Sequence, residues 1–519
     1  MRTNMHHLLS ERAASHPDDP ALTYQGITQT YSQAWRCARS AAAQLQSIGL
    51  QRADRVAIYL EKRLELVAAI FGVSAAGGVF VPVNHVLKPA QVGHILRDSG
   101  ARILVTSADR LAMLGSTLAG TDVEHVVVVG DLDAELSGDR GMHRWTDGQA
   151  DAAEPATPSP IDIDPAAILY TSGSTGRPKG VVLSHRNLVV GAESVSTYLH
   201  NTSDDVILSV LPLSFDAGLS QVTTAFAVGA HCVLMNYLLP RDVVRLCEKH
   251  GVTGITCVPP LWLQLAGVSW PPEVARRLRY WANTGGRMPR TTLDTLREIF
   301  TAADPYLMYG LTEAFRSTYL DPAEVDRRPG SIGKAIPNAE VMVLRPDGTP
   351  CAPGEPGELV HRGPLVALGY WNDPARTAER FRPVHHVGQE WRAPERAVWS
   401  GDTVVADDEG YLSFVGRADD MIKTSGYRVS PTEIEEAAYS TGLVRDAVAV
   451  GVEDVALGQR IVLVVAPTAD GLDEKALVAA LRSLVPAYML PSRVDIRDEL
   501  PRSPNGKFDR PLIASEVSA

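Results

Sequence analysis

The hydrophobic pattern changes character along the chain, and each change predicts an element. Apolar positions recur at helical spacing from Ser32 to Ile48, which predicts an amphipathic helix. Short unbroken apolar runs at Val56–Leu60, Ile103–Thr106 and Val126–Val129 predict buried strands. The longest apolar stretch, Leu66 to Val83, approaches the length of a membrane span. Gly72, Gly77, Gly78 and Pro82 interrupt it, so it reads as a buried helix ending at the glycine pair and a short strand, Val79–Val83. Helical stretches alternating with such strands imply a largely parallel sheet. Residues 147–165, rich in Asp, Ala and Pro, read as a loop or linker. The alternation resumes with strands at Ala166–Tyr170, Val206–Leu211, Cys232–Met235 and Gly254–Val258.

From Ser331 to Phe414, short strands separated by PDG, PGEPGE and DDEG turns predict an antiparallel β unit. Beyond it come a helix at Pro431–Ser440, strands at Ala447–Val452 and Ile461–Ala466, and a helix at Asp473–Leu484, which make a small α+β domain. No internal repeat is visible. The expected class is α/β: two α/β subdomains at about 1–165 and 166–330, a β unit at 331–418, and a C-terminal domain at 419–519.

Composition narrows the partners. Hydrophobic residues make up 45% and charged residues 21% of the 519 positions, which excludes wholesale disorder. The net charge of −12 argues against nucleic acid as a partner but leaves room for a local basic site. Five cysteines (Cys37, Cys232, Cys247, Cys257, Cys351) are scattered, with no CxxC pair and no zinc-ligand spacing, and read as small buried hydrophobes. With no apolar signal-peptide core near the N-terminus and no convincing membrane span, a reduced, cytoplasmic protein is expected. His6-His7 and His385-His386 read as surface residues, because neighbouring side chains point to different faces and make poor metal sites.

The densest chemistry lies in Tyr170 to Gly180, YTSGSTGRPKG, directly after a predicted strand. Gly173 and Gly176 allow close backbone approach to phosphate oxygens; Thr171, Ser172, Ser174 and Thr175 add hydroxyl donors, and Lys179 adds a cation. The composition is that of a polyphosphate-binding loop. It is not a GxxxxGK[S/T] loop, because Pro178 precedes the lysine and Gly180 follows it.

With this loop the chain resembles the adenylate-forming superfamily of acyl-CoA synthetases, nonribosomal peptide synthetase adenylation domains and luciferase. Further motifs follow in the family's order: Gly285-Gly286 within NTGG, Tyr309-Gly310-Leu311-Thr312-Glu313, Ser400-Gly401-Asp402 with Ser replacing the usual Thr, the stretch Gly416 to Arg428, and Pro504-Asn505-Gly506-Lys507. The resemblance implies a large N-terminal domain and a small mobile lid hinged at Asp419. It implies that the Thr171–Lys179 loop holds the β- and γ-phosphates of ATP, Tyr309 packs on adenine, and Thr312 touches the α-phosphate region. Glu313 would ligate Mg²⁺, Asp402 bind the ribose with Arg417 nearby, and Lys507 bridge the acid and the α-phosphate. Lys423 and the Gly426 loop would serve the second half-reaction, in which the lid rotates and the acyl group passes to a thiol. That thiol belongs to coenzyme A or to the phosphopantetheine of a free-standing carrier protein.

The expected chemistry suits these residue types. A carboxylate attacks the α-phosphorus of ATP, so two anions must meet among cations, and positioning carries most of the catalysis.

Specificity for a small carboxylic acid is expected from Ser214–Gln221, Ala282–Gly286 and Met308–Ser317. Phe215-Asp216 resembles adenylation domains for amino acids, where an Asp pairs with the substrate ammonium; Asp216 could equally cap a helix. Arg316 either binds a second anionic group on the substrate or pairs with Asp216 and leaves a neutral pocket. The leading expectation is an AMP-forming ligase for a small acid, an amino acid among the candidates. Its alternatives are an acyl- or aryl-CoA ligase for a non-amino acid and a catalytically silent nucleotide-binding regulator. The intact Lys507, Glu313 and Asp402 count against the last.

Overall fold

A computed structural model describes residues 2–518 apart from 88, 132–139, 147–159, 172–177, 385–390, 392, 418–421, 425–426, 455–456, 469–470 and 486. Ser172, Gly173, Ser174, Thr175, Gly176, Asp419 and Gly426 therefore lie outside the described residues, as do His385-His386, most of the expected 147–165 loop and the side chains of Arg417 and Lys423.

Three sheets organise the described residues. The first has eight strands. Its centre is parallel and runs through Val79–Pro82, Arg55–Tyr59, Ile103–Ser107 and His125–Val129. Pro165–Thr171 joins it in parallel, and Lys179–Ser184 turns back antiparallel beside that strand. The second sheet has fourteen strands. Its parallel stretch orders Asp304–Tyr309, Tyr280–Asn283, Gly254–Cys257, Val206–Ser209 and His231–Leu234. The five-stranded third sheet spans Ile422–Thr424 to Arg493–Ile496. Helices Pro431–Ser440 and Glu474–Arg482 cover one face of it, and Arg510–Ser518 covers the other.

These strands form where unbroken apolar runs can be buried on both faces. The sheets do not follow the chain in order. Pro20–Tyr24 adds to the edge of the second sheet by pairing with His231–Leu234. Pro165–Thr171 belongs to the first sheet, although it opens the second predicted subdomain. The expected β unit continues the second sheet through Thr318–Leu320 and Ser331–Ala335, with no break near residue 330.

The main core lies between the first two sheets. The expected buried helix is Leu64–Ala75, apolar on nearly every face, and ten of its residues are buried. Its Phe71 ring meets Phe226 at 5.1 Å. The amphipathic helix Tyr31–Ser47 starts at a capping box, with Thr30 accepting the Gln33 N–H and Gln33 returning the contact. Among the described residues, no helix is long and apolar enough to cross a membrane. The five cysteines are free. Cys232, Cys247 and Cys257 are buried as expected, whereas Cys37 and Cys351 are only half-buried.

His6 departs from its surface assignment. It is 9% exposed, its Nδ1 lies 3.2 Å from Ser74 Oγ, and its ring stacks on Trp35 at 6.2 Å. Among the described residues two further histidines are buried: His185 accepts the Met5 N–H at 3.2 Å, and His361 contacts Ser317 Oγ at 2.8 Å. Burial disfavours their charged forms and pulls His6 down to about 3 and His185 and His361 to about 4. An unfolded histidine takes up a proton below about 6.5, whereas these remain neutral in the native state down to about 4. Stability from them is therefore complete above pH 6.5 and lost as pH falls toward 4. Thermal midpoints should drop steeply across that window, and replacing His361 with Gln should flatten the slope. A midpoint insensitive to pH there would contradict the assignment.

Candidate active site

The first two sheets meet at Lys179. Strands Pro165–Thr171 and Lys179–Ser184 pair with Thr171 opposite Lys179, so the glycine-rich loop leaves and re-enters the sheet at these two residues. Thr171 Oγ1 is buried and has no hydrogen-bond partner among the described residues. Lys179 Nζ donates to Glu313 Oε1 at 2.9 Å and to the Tyr370 hydroxyl at 2.8 Å, and lies 4.2 Å from the centre of the Tyr370 ring. Tyr370 in turn donates to Glu313 Oε1 at 2.7 Å. Glu313 sits in the 3₁₀ turn Thr312–Ala314 after the strand Asp304–Tyr309, and its carbonyl accepts the Ala367 N–H at 2.9 Å.

The charges respond to this contact. Burial pushes the Glu313 carboxyl up, but the Lys179 charge and the hydrogen bonds from Tyr370 and Lys179 outweigh it and hold the acid below its ordinary value. Burial lowers Lys179, and Glu313 only partly restores it; Arg380 and Arg376, on helix Pro374–Arg380, lower it further. Burial and the neighbouring Glu313 raise the Tyr370 phenol. The Glu313 carboxylate is an oxygen donor of the kind Mg²⁺ takes together with substrate phosphates.

The ribose candidate is equally fixed. Tyr309 donates its hydroxyl to Asp402, which is 4% exposed. The Asp402 N–H donates to Ser400 Oγ at 3.1 Å, and that hydroxyl donates to the Leu359 carbonyl at 2.6 Å. Serine thus does here what the motif's usual threonine hydroxyl could do. Backbone register sets Arg417 opposite Asp402.

The C-terminal loop reaches the glycine turn that follows strand Tyr280–Asn283. Gly285 has φ +76°, and a Cβ built there would stand 3.7 Å from Lys507 Cε. Asn84 Nδ2 donates to the Pro504 carbonyl at 3.5 Å. Arg287, directly after the glycine pair, meets Glu436 of helix Pro431–Ser440 at 3.1 Å. Asn283 Nδ2 donates to the Gly286 carbonyl at 2.8 Å and braces the glycine turn. Lys423 stands apart, in strand Ile422–Thr424 of the third sheet.

On the acid side, Phe215 precedes the helix Asp216–Val228 and Asp216 is its first residue, where a carboxylate suits the helix dipole. Gly218 makes this placement possible, because a Cβ there would stand 2.0 Å from the Pro212 carbonyl oxygen. Met308, 6% exposed, accepts the Tyr198 hydroxyl at its sulfur at 2.9 Å. Arg316 Nη1 donates to Asp216 Oδ2 at 3.0 Å, so these two residues pair with each other.

Tyr370 and Lys62 were not foreseen. Lys62 is buried, and its ammonium donates to the carbonyls of Ser209, Val210 and Leu211 at 2.8, 2.5 and 2.9 Å, while burial pulls its pKa to about 7. It braces the turn that leads to Phe215 and Asp216. The only sequence signal for Tyr370 is its place in the aromatic turn Gly369-Tyr370-Trp371-Asn372.

Comparison with known proteins agrees with this arrangement. The AMP-binding enzyme family matches residues 9–371, and the AMP-binding enzyme C-terminal domain matches residues 433–507. A feruloyl-CoA synthase of an Amycolatopsis species is 32% identical, covering 96% of each chain. A long-chain-fatty-acid–CoA ligase of Escherichia coli O157:H7 is 30% identical over 98% of this chain and 94% of its own. The crystal structure of ATP-bound MatB from Rhodopseudomonas palustris superposes with a TM-score of 0.86 at 25% identity, over 100% of this chain and 99% of that one. Adenylate-forming enzymes are thus the class that fold and site define. The chain belongs to the AMP-binding enzyme family.

Tyr370→Phe removes the hydroxyl that Lys179 and Glu313 share. It should lower kcat/KM for Mg²⁺-ATP by about tenfold, in line with hydrogen bonds to charged groups. Adding Glu313→Gln should cost less than the two single effects combined, because both act on one network. Additive losses would separate Tyr370 from that network.

Proposed function

We propose that the protein adenylates a small carboxylic acid with ATP and passes the acyl group to a thiol. The observation that carries this reading is that Lys507 lies at Gly285, beyond strand Tyr280–Asn283, while Glu313 with its Lys179 contact follows the neighbouring parallel strand Asp304–Tyr309. The reaction brings a carboxylate and a triphosphate together, and it needs cations held where negative charge builds up.

In this reading Thr171, the glycine-rich loop and Lys179 hold the β- and γ-phosphates, and Thr312 contacts the α-phosphate region. Tyr309 packs on adenine, Asp402 accepts from the ribose hydroxyls, and Arg417 stands nearby. Glu313 holds Mg²⁺, which when bound neutralises phosphate charge. Lys507 touches both the acid carboxylate and the α-phosphate. Residues 419–519 then act as the lid: Lys507 withdraws after adenylation, and Lys423 with the Gly426 loop turns inward. Breaking Arg287–Glu436 and Asn84–Pro504 accompanies that rotation. The acceptor is coenzyme A, with a carrier protein's phosphopantetheine as the second candidate. The free cysteines support a reducing, cytoplasmic setting.

Lys507→Ala should abolish acid-dependent ATP–pyrophosphate exchange while ATP still binds, as read by calorimetric titration. Undiminished exchange would remove Lys507 from the chemistry. Exchange absent in the wild type over a broad panel of acids would favour a silent nucleotide-binding regulator.

A further inference from the structure

Arg316 is 2% exposed, and its Nη1 donates to Asp216 and, at 3.0 Å, to the Phe315 carbonyl. Its Nε is buried and has no hydrogen-bond partner among the described residues. A buried guanidinium N–H left unmet calls for an explanation, and a missing ligand acceptor is one.

The surroundings point to a ligand. Phe315 is fully buried with φ +57°, a conformation that bulky residues adopt only under constraint and that gathers at binding sites. The bend turns Arg316 back against Gly310, where a Cβ would stand 3.2 Å from Arg316 Cα and 3.5 Å from its Cδ. Gly310 ends the strand Asp304–Tyr309, which runs parallel to Tyr280–Asn283 with Leu307 opposite Asn283. The second of these strands leads to Gly285 and the Lys507 arm. Asp216 arrives beyond the carboxyl end of Val206–Ser209 in the same parallel sheet. The pair and Lys507 therefore share the rim where open α/β sheets take their ligands.

Charge decides what fits. Asp216 and Arg316 are neutral together. A substrate ammonium would meet a carboxylate already paired and a guanidinium 3.0 Å from it. A second carboxylate would put two anions on one guanidinium and bury a net charge. A hydroxyl or oxo group accepts from Nε and adds no charge. A hydroxyl can also donate to Asp216, whose side chain keeps 15% of its surface open. We propose that the activated acid carries a neutral oxygen substituent, hydroxyl or oxo, and that Arg316 and Asp216 read it. This rests on the adenylation reading above and names its substrate class.

The test is ATP–pyrophosphate exchange by the full-length enzyme on sets of acids that share a carbon skeleton: hydroxy, oxo, amino, dicarboxylic and unsubstituted. The hydroxy or oxo member should lead its set in kcat/KM by at least about tenfold, because a site built to bond an oxygen rejects analogues lacking it. Arg316→Gln should collapse that preference and raise the amino member relative to the rest, since Asp216 then loses its partner. A set led by the amino, dicarboxylic or unsubstituted member would overturn the proposal, as would equal proportional losses for all members in the variant. If the variant does not fold, the wild-type ranking alone decides. Silence with every acid would overturn the adenylation reading, and this inference with it, whereas exchange led by an amino or dicarboxylic acid would overturn this inference alone.

Discussion

A half-buried ammonium–carboxylate contact helps to join the two large sheets. Lys179 and Tyr370 stand on neighbouring strands of the eight-stranded sheet, with Tyr370 opposite Val181 in the ladder, and Glu313 comes from the turn that ends a strand of the fourteen-stranded sheet. Taking two such charges out of water is costly unless each finds a close partner and further hydrogen bonds. Here the phenol of Tyr370 supplies those bonds to both. The contact between the sheets therefore runs through residues that the proposed nucleotide site also uses. Arg376 and Arg380 leave the neighbourhood with more positive than negative charge, a polarity that suits a triphosphate.

The other half of the site is organised by neutrality. Asp216 and Arg316 come from segments far apart in the chain and cancel each other where the acid is expected. The two halves thus pose opposite electrostatic problems. In the proposed reading, one gathers cations for phosphate, and the other hides its charges so that shape and single hydrogen bonds discriminate. Lys507 lies on a loop that touches the large domain through Pro504 and through the space above Gly285.

Much of this was legible in the chain. Strands such as Val206–Ser209 and Gly254–Cys257 announced themselves because both faces are buried, which forces continuous apolar runs. The motifs at Lys179, Glu313, Asp402 and Lys507 were legible as local patterns, and the fold brings Lys179 to Glu313 and Lys507 to the glycine pair. What the chain did not disclose depends on contacts between distant segments. Tyr370 matters only because its strand lies beside Lys179. Lys62 is a charged residue that three carbonyls allow to be buried, and His6 is a polar one that Ser74 and Trp35 shelter. The Asp216–Arg316 contact was one of two readings open to the sequence, and only tertiary approach could choose between them.

The pairing of Pro20–Tyr24 with His231–Leu234 has a consequence for how the protein is made. Pro20–Tyr24 leaves the ribosome about 200 residues before that partner, and at ordinary synthesis rates that is a wait of roughly 10–40 s. During that time the strand's open edge can pair wrongly or attract another chain. The second sheet cannot close before then, so its assembly is paced by translation as well as by its own energetics.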